Sequence, residues 1–282
     1  MKKLIVLMSM MALLLTACGG NAGTNTPSAA TADEPPAAAA DEPPAAEPVE
    51  LAVFAAASMT ETMDQIIELY KSEAPEVTVV PTYDSSGSLL TQIQEGAECD
   101  VFISAAPKQM NTLGEEGGLL EGTRLDLLEN KVTLAVPEGN PKGIETFDQL
   151  AELLERGGVL LAMGNSDVPV GQYTQKIFEY YGLDEAALAD KQVLTYGSNV
   201  KEVTTQVSES TVDCGIIYST DAFSAGLNVV DSATAEMCGQ IIYPAAVLNL
   251  SLHPSEAQAF LNFLSSDGAK AVFESVGFTV LT

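Results

Sequence analysis

From residue 51 onward, short apolar runs alternate with stretches of helical period, and that alternation limits the folds open to the chain. Residues 51–57, 77–83, 100–104, 131–137, 159–163, 192–195, 214–218 and 241–250 read as strands. Met59, Met63, Ile66, Ile67 and Tyr70 recur at helical spacing and put one apolar stripe on a helix. Further helices are predicted at 86–94, from 107, and at 146–156, 170–181, 200–208, 254–264 and 267–274. Strands that alternate with helices predict an α/β architecture with mixed, mostly parallel sheets. Strands this apolar need helices on both faces. A single doubly wound domain and a two-lobed one both fit the pattern.

The chain ahead of this region is different material. Lys2 and Lys3 precede an apolar stretch over 4–15, which ends in Leu15-Thr16-Ala17-Cys18. That order resembles a bacterial lipoprotein signal, in which residues 1–17 are removed and Cys18 is lipidated. It implies an exported chain, lipid-anchored to the outer face of the cell membrane or its periplasmic side. Residues 18–48 are rich in Ala and Pro and carry acids but no base. Such a segment cannot bury enough apolar surface to order itself, so it reads as a disordered tether. The folded part is expected to start near Val49. No apolar run is long enough to span a bilayer.

Charge and rare residues exclude several functions. With 39 acids against 12 bases the formal charge is −27, which argues against nucleic acid and against unaided adsorption to anionic lipid. The single histidine, His253, sits in a polar turn before Pro254 and reads as a surface residue. Neither a G-x-S-x-G elbow nor a Walker-type loop occurs. Cys99, Cys214 and Cys238 lack both C-x-x-C spacing and a nearby histidine, against a zinc site. They read as buried thiols, with a Cys214–Cys238 disulfide left open.

In open α/β sheets, ligands sit beyond the carboxyl ends of strands, beside helix N-termini. Four such junctions are small, polar and without Lys or Arg. They are Ala55-Ala56-Ala57-Ser58-Met59-Thr60-Glu61, Tyr83-Asp84-Ser85-Ser86-Gly87-Ser88, Asp167-Val168-Pro169-Val170-Gly171 and Gly197-Ser198-Asn199-Val200. Ser58 followed by Glu61 has the form of a capping box. Each junction alone is explained by helix capping. Together they offer unpaired N–H groups that bind anions with help from the helix dipole. A site of this kind holds an oxyanion by neutral donors alone.

These segments, with Asp100-Val101-Phe102-Ile103-Ser104-Ala105, Gly215-Ile216-Ile217-Tyr218-Ser219-Thr220-Asp221, Tyr243-Pro244-Ala245-Ala246-Val247 and Gly277-Phe278, resemble the periplasmic molybdate-binding proteins of ABC importers. The likeness runs from about Leu51 to the end. It implies a two-lobed periplasmic-binding-protein fold, type II-like, closing on a tetrahedral dianion. Lobe 1 would comprise 49–132 and 246–282 and lobe 2 would comprise 133–245, with 131–137 and 241–247 as crossing hinge strands. Carried over by position, Ser58 and Ser86 would give hydroxyl and amide donors, Val170 and Val200 backbone amides, and Tyr218 a phenolic O–H. Val170 stands where the family often has Ala. Gly87 replaces a frequent small hydroxyl residue, which removes one donor. The resemblance further implies molybdate or tungstate as ligand, no cofactor, no enzyme activity, and molybdenum only within the bound anion. It also implies a monomer that meets an ABC permease and its ATPase. The alternative is an exported enzyme or binder of the same architecture acting on sulfate, phosphate or another small oxyanion.

The ligand chemistry fits the lining. Molybdate is fully deprotonated at neutral pH and only accepts hydrogen bonds. A hydrogen-phosphate site benefits from a carboxylate that accepts the ligand proton. Asp84 is the one acid near a junction and is expected to cap a helix or stay in solvent. Asp221 is expected to start a helix.

Overall fold

A computed structural model describes residues 48–282. Cys18, the signal segment and nearly all of the tether lie outside the described residues. The first elements are β1 (Val49–Ala56), a 3-10 turn (Ala57–Met59), α1 (Thr60–Glu73), β2 (Val77–Asp84), α2 (Ser86–Gln94), β3 (Val101–Ile103), α3 (Pro107–Glu115) and β4 (Leu125–Asn130). A middle group follows: β5 (Val132–Val136), α4 (Phe147–Arg156), β6 (Leu161–Gly164), α5 (Pro169–Tyr181), α6 (Glu185–Asp190), β7 (Leu194–Gly197), α7 (Val200–Ser208), β8 (Cys214–Tyr218), α8 (Ser219–Ser224), β9 (Asn228–Ser232) and α9 (Ala235–Cys238). The chain closes with β10 (Ile241–Val247), α10 (Pro254–Phe263), α11 (Asp267–Ser275) and β11 (Thr279–Val280).

The strands form two sheets, ordered β11-β4-β10-β3-β1-β2 and β7-β6-β8-β5-β9. This is the two-lobed α/β arrangement. β1 runs parallel to β2 and β3, and β6 runs parallel to β7 and β8, where helices make the crossovers. The expectation of mostly parallel pairing is corrected elsewhere. β10 is antiparallel to β3 and β4, and β5 is antiparallel to β8 and β9. A strand that arrives from the other sheet enters from the opposite end, so its pairing reverses.

The chain leaves the first sheet at Lys131, between β4 and β5. It returns within 233–240. β10 was expected to cross between lobes; instead Ile241–Ala245 pairs with β4 within the first sheet. The register of that pairing slips between Tyr243 and Pro244. Pro244 has no N–H to give the ladder, and such a bulge re-aims the neighbouring side chain. Tyr243, just ahead of the slip, is fully buried, and its hydroxyl meets that of Ser58 at 2.9 Å.

Both faces of the first sheet are covered. Leu51, Val53 and Ala55 belong to the large core with Met63, Ile66 and Phe260. Phe54 and Phe102 point the other way, into a smaller core with Leu89, Met110 and Leu113. Burying each such side chain contributes about 1.5–3 kcal/mol. The three cysteines among the described residues are free and buried, so Cys214 and Cys238 do not pair. No helix among the described residues is long and apolar enough to cross a membrane.

Candidate functional site

Ser58 follows Ala55, Ala56 and Ala57, whose small side chains let other groups approach. It does not cap α1. A 3-10 turn intervenes, Thr60 donates its N–H to the Ala57 carbonyl, and Met59 takes the cap position without a side-chain bond. The expected Ser58–Glu61 capping box is therefore absent. The Ser58 hydroxyl instead meets the Tyr243 hydroxyl at 2.9 Å.

Ser85 caps α2, with its Oγ accepting the Ser88 N–H at 3.1 Å. That places Ser86 at the first helical position, where its N–H has no partner in the helix. The Ser86 Oγ accepts the Ala105 N–H at 2.9 Å, so its own proton is left to donate. Asp84 Oδ1 accepts the Ser85 N–H at 2.7 Å, but Asp84 does not cap α2 as expected, because Ser85 holds that position.

The second sheet supplies two further helix starts. α5 opens at Pro169, and its cap residue Val168 makes no side-chain bond. A side chain at Gly171 would overlap the carbonyls of Gly164 and Asn165, so α5 sits tight on the end of β6. α7 is capped by Asn199, whose Oδ1 accepts the Glu202 N–H at 3.1 Å. Val170 and Val200, both buried, thus present N–H groups from first turns that have no i−4 acceptor.

Tyr218 ends β8. Its ring lies edge-on to Tyr173 and Tyr243, at centroid distances of 6.5 and 5.8 Å. The ring is 1% exposed, and its hydroxyl has no hydrogen-bond partner among the described residues. Burial pushes its pKa well above the ordinary value, and neighbouring Tyr243, Tyr173 and Asp221 add to the rise. The group is therefore a neutral donor at any physiological pH.

All five residues singled out from the sequence meet at one pocket. Ser58, Ser86, Val170, Val200 and Tyr218 line it with Ala56, Ala57, Asp84, Ser85, Ala105, Val168 and Pro169. No Lys or Arg is among them. Lys201, one residue past Val200, turns its ammonium to Glu61 at 2.7 Å and to Asp221 at 3.2 Å. Burial pulls its pKa down, but Asp221 and Glu61 carry it above the ordinary value. Its charge is thus matched by carboxylates outside the pocket lining.

The two sheets' helices meet across this pocket at three points. Lys201 reaches Glu61 on α1, and Asn199 Nδ2 donates to Asp84 Oδ1 at 3.4 Å. At Gly87 a side chain would overlap the Asp167 carbonyl. The sequence reading treated Gly87 as a lost donor, but its missing side chain is what lets α2 approach that loop. Lys201 was overlooked because it lies one residue outside a junction. Its spacing to Val200 was the available signal. Asn130 and Tyr243, which sit behind Ser58, gave no local signal, since their meeting depends on the antiparallel pairing of β4 with β10, strands far apart in the chain.

Residues 51–279 match the family model of the bacterial extracellular solute-binding proteins. The chain belongs to that family. Among these solute-binding proteins it is 34% identical over 235 residues to YvgL of Bacillus subtilis (strain 168), covering 82% of this chain and 86% of YvgL; that relative is provisionally named an ABC transporter substrate-binding lipoprotein. It is 30% identical to the molybdate-binding protein ModA of Haemophilus influenzae over 82% of this chain and 90% of ModA. The solved periplasmic molybdate-binding protein of Azotobacter vinelandii superposes with a TM-score of 0.71, at 21% identity over 82% of this chain and all of that one. The sulfate-binding protein SubI of Mycobacterium tuberculosis H37Rv shares the fold with a TM-score of 0.68, at 19% identity over 83% of this chain and 87% of that one.

Proposed function

We propose that this protein captures molybdate, and tungstate with it, in the pocket between its lobes and delivers the anion to an ABC permease driven by its ATPase. The single observation that carries this reading is the Tyr218 hydroxyl, buried without a partner on a pocket that also receives orphan helix N–H groups and no cation. A buried hydroxyl without a partner costs about 1–3 kcal/mol, and an acceptor-only ligand removes that cost. In the proposed complex Ser58, Ser86 and Tyr218 donate hydroxyl protons, and Ser86, Val170 and Val200 donate amide protons. Each such bond to a charged acceptor is worth about 1.5–3 kcal/mol. Because the donors come from both lobes, only the closed form satisfies the anion fully, and ligand binding therefore favours closure.

The proposed lobes follow the two sheets, with the return placed ahead of β10. Export through the signal at 1–17, lipidation at Cys18, a tether over 18–48 and a monomeric state complete the reading. Sulfate is the second candidate, because it too is a proton-free tetrahedral dianion and suits a lining of donors equally well.

A thermal-shift panel of molybdate, tungstate, sulfate and hydrogen phosphate tests this proposal. Ligand at a hundred times its dissociation constant is expected to add about 2.7 kcal/mol of stability. Shifts with molybdate and tungstate that exceed those with sulfate and phosphate support the assignment. A shift with sulfate alone moves it to the second candidate, and no shift with any of the four removes it.

A further inference from the structure

Asn130 is the last residue of β4, one position before the chain passes into the second sheet, and it is buried. Every hydrogen-bonding capacity of its side-chain amide is used. Oδ1 accepts from the Lys131 N–H at 2.8 Å and from the Ser219 hydroxyl at 3.0 Å. Nδ2 donates to Thr220 Oγ1 at 3.0 Å and to the Tyr243 hydroxyl at 3.1 Å. The Lys131 N–H can only donate, so it settles which end of the amide is the oxygen. Tyr243 therefore receives a proton from Asn130. Ser58 Oγ lies 2.9 Å from the Tyr243 hydroxyl, in place to accept its proton. Ser58 is thereby engaged as an acceptor, and its own proton is left for the pocket that it lines.

The geometry points to Asn130 and Tyr243 as positioning residues of the binding site: they form a one-way hydrogen-bond relay, from the sheet crossover to the pocket, that makes Ser58 a donor only. The inference rests on the reading of the pocket as an oxyanion site. It assigns part of the preference for proton-free oxygens to two residues that do not line the pocket. A Ser58 freed from Tyr243 is able to accept as well as donate, and then tolerates a ligand that carries a proton. The relay also joins three elements that flank the crossover, because Asn130 holds α8 through Ser219 and Thr220 and holds β10 through Tyr243.

A double-mutant cycle on anion affinity separates this role from a structural one. Tyr243→Phe keeps the ring, which packs edge-on to Tyr218 and Phe278, and deletes only the hydroxyl. Dissociation constants for molybdate, tungstate, sulfate and hydrogen phosphate are measured by calorimetry on the wild type, Tyr243→Phe, Ser58→Ala and the double variant. Each single variant is expected to weaken binding of the preferred anion about tenfold, as loss of one charge-assisted bond does. The double variant is expected to match Ser58→Ala within about twofold. If Tyr243→Phe costs as much in the Ser58→Ala background as in the wild type, or costs nothing in either, the relay is overturned. A wild type that binds none of the four anions overturns the reading of the pocket instead. The relay then rests on the ligand-free protein, in which the Tyr243 hydroxyl proton gives an NMR signal identified by its loss in Tyr243→Phe. Asn130→Asp turns the amide donor into an acceptor and is expected to move that signal; an unmoved signal overturns the relay.

Discussion

Tyr218 brings a hydroxyl into a buried position where it has no hydrogen-bond partner among the described residues. That arrangement predicts effects of opposite sign from one substitution. Tyr218→Phe removes the unsatisfied hydroxyl, so the ligand-free protein is expected to gain about 1 kcal/mol in urea unfolding. The same change is expected to weaken anion binding roughly ten- to a hundredfold by calorimetry. A loss of stability together with unchanged affinity contradicts the assigned role. Ser86 and Val200 were legible in the sequence because caps such as Ser85 and Asn199 announce the first turn that follows. Ser58 was legible as a pocket residue but not in its bonding, because its partner Tyr243 lies 185 residues away. Gly87 was legible only as an absence; what its missing side chain allows depends on the Asp167 carbonyl of another loop.

At the scale of elements, α1, α7 and α8 meet around Lys201, which bridges Glu61 and Asp221. Burial pushes the Asp221 carboxyl up to about 6 from 3.8; Lys201 pulls against that rise and Glu61 adds to it. Tyr218 and Tyr243 also face it, and both remain protonated in this range. The folded chain thus holds the Asp221 proton more tightly than the unfolded chain does. The stability this adds is complete below pH 3.8 and is lost as pH rises to about 6. Asp221→Asn cannot ionise and lacks this slope. Compared with that variant, the wild type is expected to lose up to about 3 kcal/mol between pH 4 and pH 7 in urea unfolding. Parallel pH profiles contradict this account. The principal strands and helices were readable from period alone. β4, β9 and β11 were not, being short or polar at alternate positions, and the sequence carries no mark of the register slip at Tyr243 and Pro244.

For the molecule as a whole, a formal charge of −27 opposes the approach of any anion, while the donors proposed for the pocket act only at contact. The screening length is about 30 Å at 0.01 M salt and about 8 Å at 0.15 M. Added salt is therefore expected to speed molybdate association several-fold, with less effect on dissociation. Stopped-flow tyrosine fluorescence can follow this, since the chain has no tryptophan. Association that slows with salt contradicts it. The α/β class was legible from the alternation of periods, and the second lobe from family likeness. Which strand returns to which sheet was not, because pairing between strands as distant in the chain as β4 and β10 leaves no local trace.

The sheet order also sets a timetable for assembly. Strands β5 to β9 are contiguous in the chain, so the second sheet has all its parts once residue 232 has emerged. The first sheet has a gap at its centre until β10 slots between β3 and β4. A chain made from its N-terminus must therefore keep the β2-β1-β3 half-sheet and the lone strand β4 apart, with unpaired edges, while the inserted half matures. That interval is when the newborn protein is most exposed to aggregation.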